Sequence, residues 1–186
     1  MFKKLIVSIA AAFKKNNIPY IILGGQAVLL YGEPRLTKGI DITIGLNIDS
    51  VDKIADILKK IDIVPIPGDF HQFVKRTMVL PLINKESGIR VDIIFSFSEF
   101  ERSAIKRAKV VKIDNTDVHY VSLEDLIIFK VFSGRPRDRE DVRVILIKNK
   151  EIDLKYIKKT LKELSFEDRD FLKIFTDISE SVWGEK

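Results

Sequence analysis

Two aspartates and a pair of glycines are the residues of this sequence best suited to phosphate chemistry. Gly24-Gly25 follows the apolar run Tyr20 to Leu23 and precedes a short helical stretch, Gln26 to Tyr31. A Gly-Gly pair between a strand and a helix lets backbone approach a phosphate closely, and the N–H groups of the helix N-terminus then face the anion. Asp41 lies where Ile40, Ile42 and Ile44 alternate with Asp41 and Thr43, the period of a strand with one apolar face. Asp92 stands alone among Val91, Ile93, Ile94 and Phe95, where a charge is costly unless it is paired or metal-bound. If adjacent strands aim both carboxylates at one site, they can hold a magnesium ion that bridges phosphate oxygens, as metal-assisted phosphoryl or nucleotidyl transfer requires. Simpler readings stand beside this one. Gly24-Gly25 is also a plain turn signal, Asp41 can pair with Arg35, and Asp92 can sit in an internal salt bridge.

These residues depend on elements that the hydrophobic pattern outlines. A helix is expected from Phe2 to Asn16, then strands at Tyr20 to Leu23 and Ile40 to Leu46. A helix capped by Asp49 or Ser50 runs to Lys60, and Pro65 to Gly68 reads as a loop. Thr77 to Ile83 and Ile89 to Phe95 form a hairpin around Lys85 to Gly88. Ser98 to Ala108 is helical, and Val110 to Ile113 pairs with Val118 to Val121. Ser122 with Asp125 marks a capping box before Leu126 to Phe132, and Gly134 with Pro136 ends that helix. Three further helices cover Arg137 to Lys150, Leu154 to Leu164 and Glu167 to Trp183. The expected organisation is an α/β core over residues 1–121 and a C-terminal helical region over 122–186 packed on it.

Composition sets limits. The 186 residues are 46% hydrophobic and 32% charged, enough for a packed core under a charged surface. With no cysteine, disulfides, thiolate metal sites and cysteine nucleophiles are excluded. The two histidines, His71 and His119, leave little room for a His-rich metal site, and His71 reads as a structural or surface residue. The net charge of +5 fits a phosphate-bearing partner or simply a solvated surface. Lys155, Lys158, Lys159 and Lys162 share one helical face, either a track for RNA or a solvated stripe. Met1 to Phe13 has the outline of a short secretory signal, but its apolar residues also recur at amphipathic-helix spacing. No run reaches the roughly 18 apolar residues needed to cross a bilayer. The expectation is a cytoplasmic protein without membrane contact.

Taken as a linked set, these motifs resemble the nucleotidyltransferase superfamily of DNA polymerase β. In it a Gly-Gly or Gly-Ser turn precedes an acidic-x-acidic strand motif, with a third acidic residue on a later hairpin strand. Gly24-Gly25-Gln26-Ala27, Tyr31-Gly32-Glu33-Pro34-Arg35, Thr37-Lys38, Ile40-Asp41-Ile42-Thr43 and Arg90-Val91-Asp92 are similar to small prokaryotic proteins related to AbiEii-type toxins. So are Ser122 to Leu126 with Lys130, and Gly134 to Asp138 with Asp141. The resemblance covers about residues 20 to 147. It implies a mixed α/β (α+β) sheet flanked by helices, with a C-terminal helical region. It implies Mg2+ at Asp41 and Asp92 as metal-binding and catalytic residues, and a nucleoside triphosphate as substrate. Gly24 and Gly25 would cradle the triphosphate. Arg35, Lys130, Arg135 and Arg137 are the cations available to its phosphates, or to Glu124, Asp138 and Asp141 instead. Arg76 is a lesser candidate. The departure is Gly39, which stands where similar sequences carry the first aspartate of Asp-x-Asp. Glycine cannot ligate through a side chain, and Glu33, before Pro34, is the one conceivable substitute.

Two functions follow. One is a Mg2+-dependent nucleotidyltransferase that moves a nucleoside monophosphate to a hydroxyl of RNA, protein or a small molecule, toxin-like and partnered by an antitoxin. In it Asp92 also helps deprotonate the acceptor, and the C-terminal helices contact the acceptor. The other is an inactive nucleotide- or RNA-binding module on the same fold. A third reading is a structural or signalling protein without a nucleotide site.

Overall fold

The computed structural model describes residues 1–184. The chain divides into two compact units: Met1–Gln26 with Leu36–Val121, and Ala27–Arg35 with the chain from Ser122 onward. Residues 27–35 thus group with the second unit, so that unit is not one uninterrupted stretch.

The first unit is built on a seven-stranded sheet. Its strands are β1 (Tyr20–Leu23), β2 (Gly39–Ile44), β3 (Ile63–Pro65), β4 (Val79–Asn84), β5 (Arg90–Phe95), β6 (Lys109–Ile113) and β7 (Thr116–Tyr120). They lie in the order β3-β4-β5-β2-β1-β7-β6. The sheet is mixed. β2 runs parallel to β5 and antiparallel to β1, while β1 runs parallel to β7. The helices of this unit are α1 (Phe2–Lys15), the start of α2 (Gly24–Tyr31), α3 (Val51–Lys59), α4 (Phe70–Thr77) and α5 (Glu99–Lys106).

The alternation read in β2 and β5 is the alternation found. Ile40, Ile42 and Ile44 and, on β5, Val91, Ile93 and Phe95 are each at most 1% exposed. Burying these side chains drives the pairing, at roughly 1.5–3 kcal/mol for each fully buried one. Because side chains alternate, the other face of the same two strands receives Gly39, Asp41, Arg90 and Asp92. The N-terminal helix docks as an amphipathic element, with Leu5, Ile6, Ile9, Ala10 and Phe13 buried. Phe13 meets Tyr20 edge-on at 5.3 Å, and Tyr20 stacks on His119 at 5.3 Å, tying α1, β1 and β7 together. Among the described residues no helix is long and apolar enough to cross a membrane.

The second unit contains the end of α2 and the helices α6 (Leu123–Ser133), α7 (Pro136–Lys148), α8 (Leu154–Leu164) and α9 (Phe171–Trp183). Ser122 caps α6 by accepting the Asp125 N–H. The other half of the expected capping box is diverted: the fully buried Asp125 carboxylate accepts the Tyr156 hydroxyl at 2.7 Å. Gly134 closes α6 in the left-handed conformation, φ 67°, where a residue without Cβ is favoured. Along α8 the four lysines are exposed, and Ile157 and Leu161 are fully buried.

Three expectations need adjustment. The stretch read as a loop contains the end of a strand, because Pro65 is the last residue of the edge strand β3, where no ladder donor is needed. Thr77 closes a helix rather than opening a strand. Asp69 caps that helix by accepting the Gln72 N–H, and Met78 ends it at φ 59°. The last helix starts at Phe171, not Glu167. Phe166 and Arg169 exchange backbone hydrogen bonds in a tight turn, and Asp170 then caps α9.

Truncating the fully buried Phe13 should cost about 4 kcal/mol. Urea denaturation of Phe13→Ala measures it, and a loss under about 1 kcal/mol would mean that α1 is not docked as described.

Candidate active site

The register of two parallel strands brings the predicted carboxylates together. Asp41 on β2 pairs directly with Asp92 on β5, and Gly39 pairs with Arg90 two residues earlier. Directly paired residues share a face, and neighbouring strands lie about 4.8 Å apart. Both aspartates are part-buried, with the Asp92 side chain 23% exposed. One face thus carries two hard oxygen donors within a single strand spacing.

Gly24 completes this corner. It opens α2 at φ +62°, and a Cβ added there would overlap the Asp41 carboxylate. Only a residue without a side chain lets the turn close against Asp41. Leu23, which pairs with Asp41, carries the chain to that point. Gly25 follows in the first turn of α2, and Gln26 donates to the Thr37 hydroxyl at 2.9 Å, fastening the chain ahead of β2. The N–H groups that begin a helix have no partner within it. Here they lie beside the Asp41 carboxylate.

Arg90 is a participant that the sequence reading did not single out. Its Nε donates to both Asp92 oxygens, at 2.9 and 3.1 Å. The signal was present, since residues i and i+2 of a strand lie on one face. Asp92 therefore sits in a salt bridge as well as facing Asp41. Gly39 offers nothing to the set, and among the described residues no three His, Cys, Asp or Glu side chains converge as a metal cage. Asp41 and Asp92 are two oxygen donors, one of them already held by Arg90, and a metal cage would need further ligands. A Cβ at Gly39 would lie 2.9 Å from the Arg90 carbonyl oxygen and 3.5 Å from its Cβ. An aspartate there must shift the strand start slightly and would stand beside Arg90.

Arg35, Lys130, Arg135 and Arg137 belong to the second unit, where carboxylates engage the first three. Lys130, 5% exposed, donates to Asp138 and, at 2.7 Å, to Asp141. Arg35 reaches the same Asp141 oxygen at 2.8 Å, while its Nε is buried without a hydrogen-bond partner. Arg135 donates to Asp138 at 2.7 Å from a side chain that is 75% exposed. Arg137 is exposed near the start of α7. Burial pushes the Asp138 carboxyl up, but hydrogen bonds from Lys130, Ser133 and Arg135 and the Lys130 charge outweigh it, leaving the group below its usual range. Elsewhere, Glu33 is exposed and lies 3.6 Å from Lys148. His71 forms a surface contact with Asp52 at 2.7 Å. Arg76 is exposed on the last turn of α4.

Solved structures share this architecture. An antigenic nucleotidyltransferase-like protein from Paracoccidioides brasiliensis is 16% identical, with a TM-score of 0.58 over 98% of this chain and 96% of that one. The antibiotic-resistance factor ANT(2'')-Ia is 14% identical, with a TM-score of 0.55 over 96% and 89%. The lincosamide antibiotic adenylyltransferase LnuA is 17% identical, with a TM-score of 0.52 over 76% and 94%. No curated protein matches the sequence. The mixed seven-stranded sheet flanked by helices is thus the nucleotidyltransferase fold. Residues 2–180 match the model of one family in particular, described as nucleotidyltransferase of unknown function (DUF6036), and the chain belongs to that family.

Two measurements probe this geometry. Gly24→Ala should destabilise the protein more than Gly88→Ala. Both positions have positive φ, but a Cβ at Gly88 meets open space, so that change carries only the backbone cost of about 1–2 kcal/mol. Equal losses in urea denaturation would mean that Asp41 does not pack on Gly24. The depressed Asp138 carboxyl contributes stability that is complete above about pH 4, its unfolded value, and is lost as pH falls through the folded one. Urea midpoints followed down to about pH 2 should therefore fall less steeply for Asp138→Asn than for the parent.

Proposed function

We propose that this chain is a nucleotidyltransferase that moves a nucleoside monophosphate from a nucleoside triphosphate to a hydroxyl acceptor and releases pyrophosphate. The observation that carries the reading is the in-register Asp41–Asp92 pair with Gly24 closed against Asp41. Asp41 and Asp92 would hold Mg2+, which when bound supplies positive charge against the triphosphate and lowers the pKa of the attacking hydroxyl. Gly24 and Gly25 would bring the α2 backbone to the phosphates, and the first N–H groups of the helix would bind their oxygens. Asp92 would also take the proton of the acceptor hydroxyl.

The acceptor is RNA, a protein hydroxyl or a small molecule. The antibiotic adenylyltransferases that share the fold favour the small molecule, and the motif resemblance to AbiEii-type proteins favours a toxin with an antitoxin partner. Either activity belongs in the cytoplasm, where nucleoside triphosphates are found. Gly39 supports a second reading, an inactive module that binds nucleotide or RNA without turnover.

One paired assay separates the two. The chain and its Gly39→Asp variant are incubated with Mg2+, each labelled nucleoside triphosphate in turn, and RNA, cell protein or aminoglycoside and lincosamide acceptors. Label transfer that is lost in Asp41→Asn and Asp92→Asn establishes the enzyme. Transfer by the variant alone marks residue 39 as the inactivating position. Nucleotide binding by calorimetry with no labelled product from either chain supports the inactive module and overturns the transferase reading. Because a side chain at residue 39 crowds Arg90, thermal melts of the variant accompany the assay.

A further inference from the structure

The second unit holds as many acidic as basic side chains, so the whole net charge of +5 sits in the first. Much of that excess gathers where α5 runs into β6. The exposed residues from Arg102 to Lys112 are Arg102, Lys106, Arg107, Lys109 and Lys112, with Val110 alone beside them. No Asp or Glu interrupts the stretch. Arg107 donates to Ser103. The other four form no ion pair among the described residues, and Glu99, one turn before Arg102, does not reach it. The acids of the adjoining hairpin are taken from another side: Lys3 of α1 holds Asp114 at 2.6 Å, and Lys14 holds Asp117 at 3.7 Å. Lys112 therefore stands opposite an Asp117 that is already matched. Protection of a sheet edge accounts for Lys109 and Lys112. It does not account for Arg102 and Lys106, which lie on a helix.

We infer that this α5–β6 face docks single-stranded RNA by its phosphates, apart from the Asp41 corner. Phosphate oxygens are what Lys and Arg contact without regard to sequence. A protein partner fits less well, because lysine is depleted at protein–protein interfaces. A membrane surface needs apolar side chains to insert, and α5 exposes none. The cations follow a bent path. Arg102 and Lys106 lie about 6 Å apart along α5, and Lys109 and Lys112 about 10 Å apart along β6. A flexible single strand follows that path, whereas a stiff duplex does not bend over so short a span. RNA is the nucleic acid that cells hold single-stranded. No exposed aromatic side chain lies in the stretch for bases to stack on, so the contact is to backbone and independent of sequence. The face is also separate from the candidate active site. α5 packs beside Gly45, where a Cβ would lie 3.6 Å from Ile105, about 13 Å along the strand from Asp41. RNA held there is a partner whether or not it is also the acceptor.

The probe is a labelled oligouridylate of about 20 nucleotides, long enough to cover the face. Its fluorescence anisotropy is followed with the full chain at several salt concentrations and without Mg2+. The logarithm of the association constant should fall against that of the salt concentration with a slope of about −3, as four phosphate contacts require. Arg102→Gln with Lys106→Gln, and Lys109→Gln with Lys112→Gln, should each weaken binding about tenfold at about 0.1 M salt and make the slope shallower by about 1.4. Lys109→Arg with Lys112→Arg keeps the charge and should stay within about twofold of the parent. So should Lys155→Gln with Lys158→Gln, a control on the exposed lysines of α8. All these side chains are exposed, and unchanged thermal melts exclude unfolding as the cause. No binding of the oligonucleotide, unchanged affinity in both the α5 and the β6 pair, or an equal loss in the α8 pair would each overturn the inference. So would capture by phosphatidylserine vesicles in place of the oligonucleotide. The transferase reading fails separately. RNA binding with no label transfer by any chain keeps this surface and removes the enzyme. Transfer to a small acceptor with no RNA binding keeps the enzyme and removes the surface.

Discussion

The parallel pairing of β2 with β5 is the constraint on which the site depends. Six residue pairs hold its register, from Gly39–Arg90 to Ile44–Phe95. A slip of one residue would turn Asp41 toward the apolar face, where Ile40, Ile42 and Ile44 now sit, and would bring an isoleucine to the surface. The energy that fixes the register is thus apolar and comes from the face opposite the chemistry. The carboxylates contribute little to holding the strands together, and their mutual repulsion is accepted because the isoleucines of the other face outweigh it. Gly24 tightens the arrangement at a point where a side chain would overlap the Asp41 carboxylate.

A different balance governs the second unit. Lys130 is almost fully buried, a position lysine rarely occupies without partners. Asp138 and Asp141 meet its charge, and Arg35 and Arg135 add further cations around the same two carboxylates. Such a network yields less stability than its many contacts suggest, because each group is first stripped of water. It does fix geometry: α6 carries Lys130, α7 carries Asp138 and Asp141, and the segment before residue 36 carries Arg35. These ionic links tie the 27–35 segment to helices more than a hundred residues away in sequence. Hydrogen bonds from Asn149 and Lys148 to the Tyr31 and Gly32 carbonyls reinforce the link.

Much of the fold was legible in local sequence, and the reason is periodicity. β1 and α8 have the expected bounds because a compact apolar run and a clean amphipathic repeat leave few alternatives. The aspartates were legible because a lone carboxylate among isoleucines and valines is costly unless something uses it. Weak local patterns hid the rest. Phe70 to Thr77 is only eight residues long and buries one of them, Val74, so little apolar surface marks it, and its start depends on a cap from Asp69. The grouping of residues 27–35 with the C-terminal helices rests on ion pairs across long separations, which no local window registers. Arg90 was visible in the spacing of Arg90-Val91-Asp92, but its bond to Asp92 depends on side-chain conformation as much as on strand period. The glycine at residue 39 was plain at once. What the structure adds is the crowding that a side chain would meet there.

The two ends of the sheet carry one more consequence. A strand at a sheet border exposes unpaired N–H and C=O groups that invite a strand from another molecule. β3 answers with brevity, only three residues ending in a proline that has no donor to offer. β6 answers with charge: Lys109 and Lys112 are exposed on the outer strand, with Val110 between them. Stacking a second copy along β6 would bring lysines against lysines. An all-apolar strand placed there would invite stacking into fibrils. Here both borders are built against such edge-to-edge pairing.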